Sequence, residues 1–120
     1  MIFNLLAEQS AIKAAESWLN LIDKNDAEES WNQAAIIFKN FLTVEKWREN
    51  LSPVQNLTGK LISRKLKSKK YATELPGAPD GEYVVIEYES SFEKKKNSTE
   101  TVVPMKDEDG EWRVAGYFVK

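Results

Sequence analysis

The first half of the chain repeats its hydrophobic residues at intervals of three and four positions, which is typical of helices with one buried face. The first stripe consists of Ile12, Ala15, Trp18, Leu19 and Ile22. The polar stretch DKND at residues 23–26 interrupts this stripe, and either Asn25 or Asp26 can cap a following helix. The pattern therefore predicts a first amphipathic helix that ends near this stretch.

A second stripe follows and predicts a second helix, which packs antiparallel to the first because the connection is short. Its members are Trp31, Ala34, Ala35, Phe38 and either Phe41 or Leu42. A third, shorter helix is predicted after Thr43, whose hydroxyl suits an N-cap. Trp47 and Leu51 face inward in this helix, and Pro53 marks its end.

The second half is rich in β-branched and aromatic residues and is divided by turn sequences, which predicts strands. The predicted strands cover residues 59–71, 82–93, 99–106 and 111–119, separated by PGAPDG, KKKNS and DEDG. Pro104 predicts a bulge or an early end in the third strand. Helices followed by strands, without a repeat or a linker, predict one α+β domain over residues 1–120. In this domain three N-terminal helices pack on a curved antiparallel sheet of about four strands.

The predicted core draws on both halves of the chain. Its members are Ile12, Trp18, Ile22, Phe38, Val84, Ile86, Val114 and Phe118. Simple alternation along the last strand places Val114, Gly116 and Phe118 on one face and Tyr117 on the other. The tryptophans of the predicted helices lie on the apolar stripes, and we interpret them as core residues and not as a ligand cage.

The composition removes several kinds of chemistry. The chain has 120 residues, a formal net charge of −2, no Cys and no His. It therefore has no thiol or imidazole nucleophile, no imidazole base and no thiolate or imidazole zinc site, and neither a metal nor a cofactor is expected. Nucleic acid is not an expected partner, because phosphate binding needs an excess of Lys and Arg. No apolar run approaches the roughly 20 residues of a transmembrane segment.

One stretch departs from this charge balance, because residues 60–70 carry six basic side chains. On a strand, Lys65, Lys67 and Lys69 form a solvated row that discourages pairing between sheet edges. The alternative is an anionic partner such as a lipid headgroup, a polysaccharide or a nucleic acid. Arg64 falls on the opposite face among apolar neighbours, where its charge needs a partner.

Four stretches resemble a known bacterial family. They are AAESWLNLID (residues 14–23), SWNQAAIIF (30–38), LPGAPDGEYVV (75–85) and GEWRVAGYFVK (110–120). In this order they make nearly the whole chain similar to the family called domain of unknown function 4019. The resemblance implies a cystatin-like or nuclear-transport-factor-two-like roll, a bacterial origin and often export, but no activity. The compartment is not specified, and a periplasmic or secreted location is expected only if a signal peptide has been removed.

The stretch LPGAPDG at residues 75–81 places two prolines and two glycines before the most strand-like segment. Proline fixes φ and glycine reaches positive φ, so we interpret this stretch as a stiff corner with Gly81 in the left-handed region. The alternative interpretation is a rigid lip over a ligand pocket.

The candidate site is the cleft that a roll leaves between its helices and its sheet. The residues with polar tips that can line this cleft are Arg64, Tyr71, Tyr83 and Tyr88. Arg64 and Tyr88 are the expected anchors, because a buried guanidinium or hydroxyl group needs a partner. The binding role of Arg64 weakens if a carboxylate such as Glu100 pairs with it inside the protein.

Two classes of function follow. The predicted function is a non-catalytic binding or accessory domain that takes a small ligand or a protein partner in this cleft, and a homodimer is left open. The alternative is a small hydrolase or isomerase of the roll type, which needs a buried carboxylate or tyrosine as its base. The identity of the ligand or partner is not specified by the sequence.

Overall fold

The computed structural model describes residues 2–120, with side chains described from residue 4 onward. Four helices come first: α1 (Ile2–Asp23), α2 (Ala27–Asn32), α3 (Ile36–Phe41) and α4 (Val44–Thr58). Four strands follow: β1 (Leu61–Ala72), β2 (Tyr83–Phe92), β3 (Lys95–Lys106) and β4 (Trp112–Val119). They form one antiparallel sheet in the order β1-β2-β3-β4. The predicted α+β class is confirmed, whereas the roll form of the sheet stays a prediction.

The second predicted helix is divided into α2 and α3, so the helices number four and not three in the described chain. The backbone N–H of Ala35 donates to the carbonyl of Val114 in β4, at 2.8 Å, and not to a helix carbonyl. Ala34 and Ala35 are both fully buried, and their small side chains let the chain approach β4 closely. The indole N–H of Trp31 donates to the carbonyl of Leu42 at 2.7 Å, which ties α2 to the end of α3.

Of the two predicted ends of the third helix, which corresponds to α4, the N-cap is confirmed and the C-terminal end is wrong. Thr43 Oγ1 accepts a hydrogen bond from the N–H of Lys46 at 3.1 Å, which confirms the N-cap. Pro53 does not end the helix, which continues to Thr58 and is capped by Gly59 at a φ of +70°. Pro53 is exposed, so the carbonyl that loses its partner can be hydrated, while burial of Thr58 holds the last turn against the protein.

The turn between β2 and β3 is tighter than the sequence predicted. Strand β3 begins at Lys95, so only Glu93 and Lys94 separate the two strands, and most of the predicted KKKNS turn belongs to β3. The bulge predicted at Pro104 is confirmed, because the register of β3 and β4 shifts between Val103 and Pro104. Ala115 is the extra residue that this shift leaves in β4.

Because of this bulge, the side chains at the end of β4 lie on the opposite face of the sheet from the one that simple alternation predicts. Val114 lies opposite Pro104 and is buried, and Tyr117 lies opposite Val102 on the same face. Phe118 consequently points to the other face and is 63% exposed. The prediction that Phe118 is a core residue on the face of Val114 is therefore wrong, because one extra residue inverts the alternation that follows it.

The core lies between the helices and one face of the sheet. Of the predicted core residues, those buried are Trp18, Ile22, Phe38, Val84, Ile86 and Val114, and Ile12 packs against them partly buried. The ring of Trp18 lies 5.3 Å from that of Tyr117 and 6.1 Å from that of Trp47. Both indole N–H groups donate to Ser30. Trp18 donates to the backbone carbonyl of Ser30 at 2.8 Å, and Trp47 donates to the Ser30 hydroxyl at 2.9 Å. Trp18 and Trp47 are therefore core residues, as predicted.

Strand β1 also carries a bulge, at Lys67. Before the bulge, Lys65 lies opposite Glu89, and after it, Lys69 lies opposite Ile86. Glu89 and Ile86 belong to opposite faces of β2, because side chains alternate along a strand. The predicted single row of lysines is therefore wrong, since the bulge divides these residues between the two faces of the sheet.

The loop between β1 and β2 is held by its own hydrogen bonds. The N–H of Gly81 donates to the carbonyl of Thr73 at 3.1 Å, and the hydroxyl of Tyr83 donates to the carbonyl of Pro79 at 2.6 Å. Gly77 has a φ of +78°, but Gly81 is not in the left-handed region, so that prediction is wrong. A Cβ at Gly81 would meet the Tyr83 ring at 3.7 Å, which is ordinary contact.

Candidate functional site

The four polar residues predicted to line one cleft lie in three places. Tyr88 belongs to the buried core, and Arg64 lies on the neighbouring strand β1 with its side chain 13% exposed. Tyr71 donates to Glu82 at 3.1 Å near the other end of β1. Tyr83 lines a groove at the edge of the sheet. Burial raises the pKa of both Tyr71 and Tyr83. The binding role of these residues stays a prediction.

Arg64 is held by two carboxylates. Its Nε donates to Glu100 Oε1 at 2.7 Å, and its Nη1 and Nη2 each donate to an oxygen of Asp23 at 2.9 Å. Burial by itself lowers the pKa of Arg64, but the hydrogen bonds to Asp23 and Glu100 outweigh it and raise the pKa above its ordinary value. The internal pairing with Glu100 that the sequence suggested for Arg64 is therefore present.

Glu100 is fully buried and accepts from two further side chains. The hydroxyl of Ser90 donates to Oε1 at 2.6 Å, and the hydroxyl of Tyr117 donates to Oε2. Burial, followed by the negative charge of Glu100, raises the pKa of Tyr117 well above its ordinary range. The carboxylate is thus satisfied by Arg64, Ser90 and Tyr117 from three different strands without any ligand.

Tyr88 lies directly opposite Glu100 in the sheet and is only 2% exposed. Its hydroxyl has no hydrogen-bond partner within residues 2–120. Burial raises the pKa of Tyr88 to about 12, and the nearby negative charge of Glu16 adds to the effect, although the two groups do not form a hydrogen bond. Tyr88 is therefore a neutral hydroxyl buried beside the ion pair.

An apolar groove lies beside the edge strand β4, with a volume of about 920 Å³. One wall consists of helical residues and their connection: Ile37, Phe38, Phe41, Leu42, Trp47, Asn50, Leu51 and Val54. The sheet contributes Tyr83, Val85, Thr101, Val103 and residues 115–119, and the loop contributes residues 75–78. None of these lining residues carries a charge.

Two aromatic rings in the groove are open to solvent. Phe41 at the end of α3 is 80% exposed, and Phe118 in β4 is 63% exposed. The 75–78 loop forms a third wall, which agrees with the lip that was the alternative interpretation of this stretch. Large apolar side chains gathered around one groove mark a binding surface more often than isolated exposed ones do.

Most of the residues that line the groove could not be predicted as site residues from the sequence. Phe41 carried a weak signal, because the second stripe could be completed by either Phe41 or Leu42, which leaves one of them outside the core. Phe118 carried none, since simple alternation placed it inside. Tyr83 is the predicted site residue that does line the groove, although its hydroxyl is already bonded to Pro79.

The part of the chain that the structure describes has neither a membrane-spanning helix nor a cluster of metal-ligating side chains. No helix from residue 2 onward is long and apolar enough to cross a membrane. Likewise, no three side chains of the metal-ligating types lie together among the described residues.

The sequence was compared with known proteins and families. A comparison with the curated proteins finds no match. The family model described as "Protein of unknown function (DUF4019)" matches residues 14–117. The matched region extends from α1 into β4 and so includes most of the groove and the whole network around Glu100. The chain therefore belongs to DUF4019, a family of proteins of unknown function.

Proposed function

We propose that this protein is a non-catalytic binding domain, which receives an apolar ligand or an apolar segment of a partner protein in the groove beside β4. The observation that carries the proposal is the exposure of Phe41 and Phe118 in an uncharged groove of about 920 Å³. This volume lies in the range of pockets that hold small ligands. Covering one such ring is worth about 1.5–3 kcal/mol, so an occupant that reaches both rings gains substantial affinity.

The contacts of the buried network favour binding over catalysis. A roll-type hydrolase or isomerase needs a base that its substrate can reach. Glu100 and Asp107 are buried carboxylates, but Glu100 already accepts from Arg64, Ser90 and Tyr117, and Asp107 accepts from Arg113 at 3.0 Å. Glu100 does not line the groove, and the Tyr117 hydroxyl is committed to Glu100. These groups are better explained as an internal ion-pair network than as catalytic machinery.

The test is a fluorescence titration with Nile red, an uncharged dye that becomes brighter in apolar surroundings. Phe41→Lys places a charge on the helix wall of the groove, and we expect the affinity to fall about tenfold or more, because a ring worth about 1.5–3 kcal/mol is lost. A lysine at the end of α3 also suits the helix dipole, so the variant should fold normally.

The matched control is Leu57→Lys. Leu57 is 73% exposed and lies in the last turn of α4, but it does not line the groove. The control should bind Nile red like the parent protein, and both variants should melt at the parent temperature. Equal losses of affinity in the two variants, or no dye binding by the parent, would refute the groove as the binding site.

A further inference from the structure

Strand β4 leaves one side of its backbone unpaired. Its neighbour in the sheet is β3, and Lys120 and Thr99 exchange two backbone hydrogen bonds at 2.9 and 3.0 Å. Hydrogen-bonded and non-hydrogen-bonded pairs alternate along an antiparallel ladder, so the N–H and C=O groups of Tyr117 and Val119 point away from β3. No backbone or side-chain group within residues 2–120 pairs with them. Four backbone groups are therefore available for hydrogen bonding at this edge.

The unpaired edge has a defined beginning. The carbonyl of Val114 accepts from the N–H of Ala35 at the start of α3, at 2.8 Å. This contact closes the edge of β4 before the bulge at Ala115. The available edge therefore covers residues 115–119, all of which also line the apolar groove.

The groove reaches both faces of the sheet at this edge. On the helix face, the side chains of Tyr117 and Val119 lie on the same side as Trp47 and Leu51. On the opposite face, Phe118 lies with Val103, Val85 and the 75–78 loop. Successive side chains of an extended chain point to opposite faces, so a strand placed along this edge sends its side chains into both halves of the groove.

We propose that the occupant of the groove is an uncharged, extended segment of a partner protein, which adds to β4 as a fifth strand. This inference rests on the proposed function and names the partner class for the same groove. The N–H and C=O groups of Tyr117 and Val119 supply up to four backbone hydrogen bonds, and the two halves of the groove take alternate apolar side chains. Main-chain pairing supplies affinity, and the side-chain pockets supply specificity.

Charge and hydrogen bonding both select this occupant. No lining residue is charged, so a charged side chain entering the groove would lose its hydration without gaining a counter-ion. A simple acyl chain fits the apolar walls but leaves the edge groups of Tyr117 and Val119 unpaired. A second copy of this protein that paired through its own β4 is the competing occupant, and its signature would be a dimer that forms without peptide.

The experiment uses the peptide acetyl-Thr-Val-Ile-Val-Thr-amide, titrated by calorimetry into two variants of the full chain. Val119→Pro removes one edge N–H that does not pair with β3, a position where a strand tolerates proline. Val119→Ala is the matched control, because it shortens the side chain and keeps the N–H. We expect the peptide to bind about tenfold more weakly to Val119→Pro than to Val119→Ala. Nile red forms no backbone hydrogen bonds, so its affinity should differ much less between two variants that both replace the same groove side chain.

A second arm changes the peptide and keeps the protein. The same peptide methylated on each of its backbone nitrogens retains its side chains but has no N–H between its residues to donate to the edge carbonyls. We expect its affinity to be at least about tenfold lower than that of the unmodified peptide. Binding of the unmodified peptide should also slow hydrogen exchange at the amides of Tyr117 and Val119.

The outcomes separate this inference from the proposed function. Strand addition is overturned, and groove binding stands, if Nile red binds but the peptide does not, or if neither Val119→Pro nor methylation weakens the peptide. It is also overturned if the protein sediments as a dimer whose Tyr117 and Val119 amides are protected without peptide, because the second copy is then the occupant. If neither the dye nor the peptide binds, both proposals fail.

Discussion

Replacing Arg64 by methionine leaves a carboxylate buried without its cation. The side chain of Glu100 is 0% exposed, and after the change it would keep only Ser90 and Tyr117 as donors. The side chain of Asp23 is 25% exposed and can be hydrated, so most of the cost comes from Glu100. Removing one partner of a buried ion pair costs about 3–5 kcal/mol, and we expect the free energy of unfolding to fall by about this amount.

This loss is large beside the total stability of the protein. Domains unfold with free energies of about 5–15 kcal/mol, so Arg64→Met should remove a substantial share. For a chain of this length the melting temperature should fall by more than about 10 °C. The assay is urea unfolding followed by tryptophan fluorescence, to which Trp18 contributes from its contact with the Tyr117 ring at 5.3 Å.

A double-mutant cycle isolates the pair. Arg64→Met combined with Glu100→Gln removes both charges, and it should recover at least about 2 kcal/mol of the loss expected from adding the single changes. Asp23→Asn is the control for the more exposed partner and should cost about 1 kcal/mol or less. Additive losses in the double variant, or a cost below about 1 kcal/mol for Arg64→Met, would refute the reasoning.

The same variant tests whether Arg64 binds a ligand. Arg64 does not line the groove, so Nile red affinity should be unchanged in the folded fraction of Arg64→Met. A variant that keeps its stability but loses the ligand would make Arg64 the binding residue that the sequence predicted.

Two further predictions concern single polar groups. Tyr88→Phe should raise the free energy of unfolding by about 1 kcal/mol, because its buried hydroxyl has no partner, whereas Tyr117→Phe should lower it by about 1.5–3 kcal/mol, because Glu100 loses a donor. Urea unfolding measures both changes, and a change of the same sign in the free energy of unfolding of the two variants would contradict this prediction. Hydrogen bonds from Arg113 lower the pKa of Asp109 to about 2, so the stabilisation is fully present above about pH 4 and is lost as the pH falls through 2. Asp109→Asn should flatten this acid decline of the melting temperature, and parallel declines in both proteins would count against the assignment.

Short-range patterns determined the types and the order of the elements. The apolar stripe from Ile12 to Ile22 lies within α1, Thr43 caps α4, and the register of the sheet shifts at Pro104. Each of these signals depends on neighbours within a few positions, so it is readable without the fold. The division of the second helix was not readable, because it depends on the hydrogen bond from Ala35 to the distant Val114.

The direction of side chains at the end of the sheet was decided by pairing between strands. Ala115 is an extra residue only relative to β3, and the alternation of β4 taken by itself does not reveal it. A slip of one residue sends every later side chain to the opposite face. Tyr117 therefore reaches Glu100 in the interior, and Phe118 lies in the groove.

The partners of polar and apolar groups were likewise decided by the tertiary structure. The sequence indicated that Arg64 needs a counter-charge and that Glu100 could supply it, but only the fold brings Asp23, at the end of α1, to the same guanidinium. The groove is built by α3, α4, the 75–78 loop and β4 together. A hydrophobic pattern shows that a residue is apolar, but which surface covers it depends on segments far apart in the chain. At Phe41 and Phe118 no segment of the described chain completes that cover.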